Sequence, residues 1–163
     1  MFKTIAWAAG NSPSALNALT VAKRLVRDIG GKLLILHVQE LPVGQAVILP
    51  DGNDPVPAAL RHRAKELRDD GIDATVLSCT ATGSGVARAI VNLADEADAD
   101  VIAVGGDRRG PLNDLVFGNV ASRLIRTASC PVLVVPFAPG NAPRTTRSAD
   151  AAVPTTSPAT AGI

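Results

Sequence analysis

Apolar runs alternate with amphipathic stretches along the first 137 residues of this 163-residue chain. Five such runs are predicted to be strands. The second of them, KLLILHV, is apolar almost throughout rather than at every second position, which is typical of a strand covered on both faces of a sheet. The predicted strands are Lys3–Ala9, Lys32–Val38, Ile72–Thr80, Val101–Gly105 and Pro131–Phe137. The pattern therefore predicts a five-stranded α/β domain.

The stretches between the strands repeat apolar residues three and four positions apart, which predicts helices. Ser12 and Pro13 are residue types favoured at the N-cap and the first position of a helix, and Gly30 and Gly31 end that helix. Asp54 and Pro55 repeat this start for a second helix. The residues expected to be buried in the first, third and fourth helices are Leu16, Leu19, Val26 and Ile29; Val86, Ile90, Leu93 and Ala97; and Val120, Leu124 and Ile125.

Five parallel strands joined by right-handed crossovers predict a single doubly wound domain over residues 1–137, with strand order 3-2-1-4-5 and helices on both faces. In that order the topological switch point lies between strands one and four. A ligand is then expected at their carboxyl ends, near Ala8–Ser12 and Gly105–Asn119. Residues 138–163 form an Ala-, Pro- and Thr-rich tail that we expect to be disordered.

Composition narrows the classes of partner. The formal net charge is +1 and aromatic residues make up 2% of the chain, so neither a nucleic acid nor an anionic membrane is an expected partner. The apolar runs are too short to span a bilayer, and the N-terminus lacks the long apolar core of a signal peptide, so we expect a cytoplasmic protein. Cys79 and Cys130 fall at opposite edges of the predicted sheet, which excludes a disulfide between them; we expect both to be buried.

The segment from Gly105 to Ile125 is rich in glycine and joins a strand to a helix. Such a loop can hold a phosphate with its backbone N–H groups. It is not a P-loop, because Pro111 rather than Lys follows Gly110, and the chain has no G-x-G-x-x-G. On spacing alone, a turn-rich connection is the favoured interpretation.

The same segment resembles the universal stress protein signature, which is G-x-x-G, nine residues, then G-S/T, followed by a helix and C-P-V-L-V-V. Here Gly105 is followed by Arg108 at the second glycine position, then by Gly118, Asn119 and the run Cys130–Val135. The resemblance covers about residues 3 to 136. It implies an α/β fold and dimerisation through the last strand, whose edge residues are Val132, Leu133, Val134 and Val135.

The resemblance also implies a nucleotide site. The position of the acidic residue that holds the nucleoside is Ala9, and the position that packs on the base is Val38. The phosphate positions are Gly105, Arg108, Gly118 and Asn119, flanked by Val104, Arg109 and Val120. Ala9, Arg108 and Asn119 depart from the family pattern, although Asn119 can still cap a helix, and Arg108 with Arg109 can hold a phosphate from the side.

We therefore expect a non-enzymatic stress-response protein with a degenerate nucleotide pocket, no cofactor and no metal or catalytic residue. It would act through dimerisation and protein contacts. The alternative is a member of the same family that binds ATP or AMP. An adenine-nucleotide enzyme of a related fold, such as a PP-loop ligase, ranks lower because the loop after strand one reads AAGNSPSA instead of a Ser-Gly-Gly-x-Asp-Ser motif.

Overall fold

Five parallel strands form one sheet of order β3-β2-β1-β4-β5 in the computed structural model, which describes residues 2–41, 56–106 and 118–137. This confirms the predicted strand order. Asp54, Pro55, Arg108, Arg109 and the predicted disordered tail lie outside the described residues. The elements are β1 (Thr4–Ala8), α1 (Pro13–Ile29), β2 (Lys32–Leu41), α2 (Ala58–Asp69), β3 (Asp73–Thr82), α3 (Val86–Glu96), β4 (Val101–Gly106), α4 (Asn119–Thr127) and β5 (Val132–Pro136).

The core lies on both faces of the sheet. All five residues of β1 are buried, with Ile5 and Trp7 packed on the α1 and α2 side and Ala6 and Ala8 on the α3 and α4 side. A strand covered on both faces has no position left for a solvated side chain. This explains why the sequence of β1 is apolar at consecutive positions, and it confirms that helices lie on both faces.

Helix α1 begins as predicted. The Ser12 hydroxyl accepts a hydrogen bond from the Ala15 N–H at 3.2 Å, and Gly30 ends the helix at a φ of +61°. Its buried face differs from the prediction, because Leu16 is 39% exposed while small residues face the sheet. The buried residues are Ser14, Ala15, Ala18, Leu19, Ala22 and Val26.

Helices α2 and α4 also depart from the prediction. Helix α2 begins at Ala58 after Pro57 and has no side-chain cap. In α4 the buried residues are Ala121 and Leu124, whereas Ile125 is 48% exposed. Ile125 follows Leu124 directly, and a step of one residue turns a side chain by about 100° around the helix. A single leucine facing the core therefore forces its neighbour outward.

The two cysteines are free, and they are half-buried rather than fully buried as predicted. Cys79 lies in β3 at one edge of the sheet, and Cys130 precedes β5 at the other. Burial raises the pKa of both thiols, so both remain protonated near neutral pH. In the described ranges no helix has the length and hydrophobicity needed to cross a membrane.

The N-terminal end of α1 lies directly against β4 at Gly105. A Cβ atom added at Gly105 would lie 2.4 Å from the Ala15 nitrogen and 2.7 Å from the Ser14 hydroxyl oxygen. The Trp7 ring, which is only 1% exposed, donates from Nε1 to the Ala15 carbonyl oxygen at 2.9 Å. Gly105 and Trp7 together fix where α1 starts above the sheet.

The opposite end of the sheet is held by Asp100. Its carboxylate accepts hydrogen bonds from the backbone N–H groups of Lys3 and Thr4, each at 2.8 Å, and its own N–H donates to the Thr4 carbonyl oxygen. The pKa of Asp100 is lowered mainly by the hydrogen bond from the Lys3 N–H and next by the hydrogen bond from the Thr4 N–H. Asp100 therefore joins the start of β1 to the start of β4.

We predict that Gly105→Ala lowers the free energy of unfolding by about 1–3 kcal/mol, because the new methyl group has no room beside the α1 backbone. Urea unfolding followed by Trp7 emission measures this. The matched control is Gly85→Ala, whose added Cβ would make an ordinary contact of 3.7 Å with Ala81. Equal stability of the two variants would contradict the packing argument.

We predict that Asp100→Asn destabilises the fold at pH 7 and that the difference from the unchanged chain shrinks in acid. A carboxyl group whose folded pKa is depressed stabilises the fold above its ordinary pKa of 3.8, and this stabilisation is lost as the pH falls through the lower folded value. Urea midpoints at pH 7 and near pH 3 provide the measurement. Asp28→Asn, at an exposed position of α1, is the control, and a destabilisation of Asp100→Asn that stays constant with pH would refute the assignment.

Candidate functional site

A cleft of about 440 Å³ opens at the carboxyl ends of β1 and β4, where the strand order reverses. This is the position at which doubly wound sheets bind their ligands. The cleft forms because β1 pairs with β2 only as far as Ala8 and Leu36, while β2 continues to Leu41 beside β3. Its lining residues are Ala8, Ala9, Gly10, Ser12, Ala15, Leu36, Val38, Val86, Ile90, Val104, Gly105, Gly118, Asn119, Val120 and Ala121.

One wall of the cleft is continuous with the core between the sheet and helices α3 and α4. Leu36, Ile90 and Val104 are buried members of that core, and Val38 and Val86 are partly buried against it. These side chains are held by packing on their far sides, so the wall is formed before any ligand binds. The wall offers aliphatic surface and no hydrogen-bonding side chain.

The other wall comes from the loop after β1 and the start of α1. The Ala9 N–H donates to the Leu36 carbonyl oxygen at 2.8 Å, which ends the β1 pairing, and Gly10 follows. A Cβ at Gly10 would lie 3.2 Å from the Ala15 methyl group, so this stretch lies close against α1. Neither Ala9 nor Gly10 has a side chain that can accept a hydrogen bond from a ribose hydroxyl.

Two side chains with hydrogen-bonding groups line the cleft, Ser12 and Asn119, among the residues that the structure describes. The Ser12 hydroxyl lies 2.9 Å from the Ser14 hydroxyl and also caps α1. Asn119 is exposed and is the first residue of α4. The expectation that Asn119 caps this helix is wrong, because Gly118 occupies the N-cap position and no side chain makes a capping hydrogen bond.

The structure brings together seven of the nine residues assigned to the nucleotide site by resemblance. The other two, Arg108 and Arg109, lie outside the described residues. The seven that line one cleft are Ala9, Val38, Val104, Gly105, Gly118, Asn119 and Val120.

Several lining residues were not predicted as site residues. Ala15, Val86 and Ile90 also line the cleft. The sequence carried a signal for α3, because Val86 and Ile90 begin an amphipathic helix that leads into β4, one of the two strands at the switch point. Assigning that helix to the same face of the sheet as α4 would have placed Val86 and Ile90 at the cleft.

The lining residues that the structure describes contain no titratable side chain. His37 is half-buried in β2 but does not line the cleft, and burial lowers its pKa, which keeps the imidazole neutral. In the described part of the chain no three His, Cys, Asp or Glu residues are grouped to hold a metal ion. The arrangement of these residues is suited to binding a small molecule rather than to moving a proton.

Solved structures share this architecture. A universal stress protein from Archaeoglobus fulgidus is similar over 83% of this chain, at 27% sequence identity and a TM-score of 0.64, and the match spans 44% of that longer chain. A universal stress protein in complex with cAMP is similar over 82% of this chain and 97% of its own, at 25% identity and a TM-score of 0.57. The fold is therefore that of universal stress protein domains.

The sequence agrees with the fold. A model of the universal stress protein family matches residues 1–136, which include all five strands. The universal stress protein in QAH/OAS sulfhydrylase 3′ region of Thermus aquaticus is 30% identical over 138 residues, which cover 83% of this chain and 99% of that protein. The resemblance carried by Gly105–Gly118 and Cys130–Val135 is confirmed, and the chain belongs to the universal stress protein family.

Proposed function

We propose that this chain is a non-enzymatic stress-response protein that works through dimerisation and protein contacts, and that its cleft is degenerate toward adenine nucleotides. One observation carries the proposal. Where β1 ends, Ala9 and Gly10 line the cleft, and the described lining offers no carboxylate to a ribose and no cation to a phosphate. The cleft lies where doubly wound sheets bind ligands and has an apolar wall, but its described lining has no charged side chain to recognise a nucleotide.

The binding free energy that is lost with a carboxylate at the end of β1 is large enough to lower nucleotide affinity. A hydrogen bond to a charged group contributes roughly 1.5–3 kcal/mol. Since about 1.4 kcal/mol corresponds to a factor of ten in affinity, the missing carboxylate weakens nucleotide binding by about ten- to a hundredfold. We therefore expect the purified protein to hold no nucleotide.

The alternative function is the binding of ATP or AMP in the same cleft. Its volume of about 440 Å³ supports this alternative, because it falls within the range of small-molecule sites. The related universal stress protein structure in complex with cAMP supports it as well. The size of the cleft and the analogy with a related structure favour nucleotide binding. The side chains of the described lining favour the loss of nucleotide binding.

The dimer is proposed through β5, which is an edge of the sheet. The edge residues Val132–Val135 are aliphatic and only half-buried, although a covered strand buries such side chains. Phe137, directly after the strand, is 43% exposed. An edge strand of this kind pairs readily with a second copy across a two-fold axis, and Pro136 ends the pairing because it has no N–H.

We predict that the purified protein releases no adenine nucleotide on denaturation and that ATP binds with a dissociation constant above about 100 µM. Absorbance at 260 nm of the released material and titration followed by Trp7 emission measure the two quantities. Trp7 is a suitable probe, because its indole N–H donates a hydrogen bond to the carbonyl oxygen of Ala15, which lines the cleft. Nucleotide retained at a stoichiometric level would overturn the proposal.

Restoring a carboxylate provides the matched experiment. In separate variants, Ala9→Asp and Gly10→Asp place an acid at the end of β1, and at least one of them is expected to raise ATP affinity about tenfold or more. Arg108→Gly restores the second glycine of the family signature and is expected to add to this gain. Asn92→Asp, on the exposed face of α3, is the control that adds the same charge elsewhere. If no restored variant gains affinity, the missing groups are not the reason for weak binding.

We predict that the chain is a dimer in solution and that Val134→Arg makes it monomeric. The new charge would have to be desolvated at the proposed interface. Size-exclusion chromatography with light scattering measures the mass. Because Val134 also packs on the core, Phe137→Asp, at an exposed position, tests the same edge with less risk to folding.

The matched control for the dimer is Thr80→Arg, an exposed position on β3 at the opposite edge of the sheet. This variant is expected to remain dimeric. A dimer that survives both Val134→Arg and Phe137→Asp but is lost in Thr80→Arg would move the interface to β3. A monomeric unchanged chain would refute the dimer altogether.

A further inference from the structure

We infer that the groove between α1 and α2 binds a free aliphatic α-amino acid, which it holds by both the carboxylate and the ammonium group. This site goes beyond the proposed function and shares no lining residue with the cleft at the carboxyl ends of β1 and β4. The groove has a volume of about 440 Å³, which is sufficient for a small molecule. Its lining residues are Leu19, Lys23, Arg63, Glu66, Leu67, Asp69 and Asp70.

The floor of the groove is apolar. Leu19 of α1 and Leu67 of α2 are buried members of the core between these helices and the sheet, so their positions are fixed by packing. Lys23 and Arg63 are half-buried, and they add the aliphatic parts of their side chains to the lining. An aliphatic ligand side chain can therefore contact apolar atoms while the charged groups of the same ligand remain at the rim.

Part of the charge at this rim is already neutralised by ion pairs between side chains. The Asp70 carboxylate lies 3.6 Å from the Lys23 ammonium and 3.7 Å from the Arg27 guanidinium, and these pairs join α1 to the end of α2. The Asp69 carboxylate lies 2.8 Å from the Lys65 ammonium, one turn earlier in α2. These two carboxylates therefore have cationic partners before a ligand binds.

Arg63 and Glu66 are the two lining charges without a permanently charged partner among the residues that the structure describes. Arg63 forms no ion pair there, and Glu66 pairs at 3.4 Å with His62, which is a cation only when its imidazole is protonated. Arg63 and Glu66 are three positions apart on α2, which makes them neighbours on the helix surface, yet they do not pair with each other. A ligand with two adjacent charges of opposite sign can engage both.

The mixture of charges favours a zwitterion over a simple ion. Three carboxylates of the lining repel an anion, and the Lys23 ammonium and the Arg63 guanidinium repel a cation. In an α-amino acid one carbon atom separates the ammonium from the carboxylate, so the two groups can face two neighbouring side chains. A guanidinium binds a carboxylate through two parallel hydrogen bonds, and the Glu66 carboxylate accepts hydrogen bonds from an ammonium.

The test is a titration of the full chain with L-leucine, followed by calorimetry and by the NMR shifts of the backbone amides. Because the charged groups of the groove are exposed, we expect a dissociation constant on the order of 1 mM. Amides around Lys23 and Arg63 are expected to shift, whereas that of Gly118 in the cleft is expected to stay unchanged. N-acetyl-L-leucine lacks the ammonium and L-leucinamide lacks the carboxylate, and each is expected to bind about fivefold more weakly.

Arg63→Gln and Glu66→Gln each remove one charge from the groove and keep a side chain of similar shape. Each is expected to weaken L-leucine binding about three- to fivefold with an unchanged melting temperature. The matched controls are Arg88→Gln and Glu96→Gln, the same substitutions at exposed positions of α3 on the other face of the sheet. Both controls are expected to bind L-leucine as the unchanged chain does.

The outcomes decide between a zwitterion site and its alternatives. Weaker L-leucine binding in both groove variants and in neither control supports the assignment. N-acetyl-L-leucine that binds as well as L-leucine would indicate an anion site, and L-leucinamide that binds as well would indicate a cation site; either result refutes the inference. Unshifted amides of α1 and α2 at about ten times the expected dissociation constant also refute it, and they leave the proposed function intact, since that function depends on the cleft and on β5.

Discussion

The absence of a side chain at Gly105 is the constraint on which the functional end of this domain depends. Because position 105 carries no Cβ, the backbone of α1 at Ser14 and Ala15 lies directly against β4. Trp7 of β1 donates a hydrogen bond to the Ala15 carbonyl oxygen. This hydrogen bond joins β1 to α1, and the close contact at Gly105 joins α1 to β4. Moving α1 away from the sheet would displace Ser12 and Ala15 from the cleft and break the Trp7 bond.

A second feature, the unequal length of the strands, turns this packing into a cleft. β1 stops at Ala8, whereas β2 and β3 remain paired through Leu41 and Thr82. The side chain of Val38 therefore faces a space that no continuation of β1 fills. Helix α3 closes the far side through Val86 and Ile90, and α4 begins at the mouth with Asn119. The cleft is thus a consequence of where each strand ends, and its apolar wall belongs to the core.

The parallel sheet could be predicted because apolar runs such as that of β1 alternate with amphipathic helices, which is typical of strands covered on both faces. Right-handed crossovers then favoured the order 3-2-1-4-5 and its switch point. The helix faces were harder to predict. Leu16 and Ile125 are large and apolar, so hydrophobic spacing favoured their burial, but Ala15, Ala18 and Ala121 are the residues that allow close approach to the sheet. Hydrophobicity alone does not distinguish a small residue that permits contact from a large one that fills space. Likewise, no periodicity reveals that Gly118 rather than Asn119 occupies the N-cap of α4.

Among the described residues, charged side chains lie away from the cleft. The ion pairs of the described residues lie on the outer surface, for example Lys65 with Asp69 at 2.8 Å along α2 and Lys23 with Asp70 at 3.6 Å between α1 and the end of α2. Exposed pairs of this kind contribute little to stability and are screened by salt. At the amino end of the sheet, the carboxylate of Asp100 is engaged with the backbone at the start of β1. At the carboxyl end, the described lining presents aliphatic side chains, glycines, a serine and an asparagine. The side chains that these described residues can offer a ligand are therefore apolar surface and the polar groups of Ser12 and Asn119.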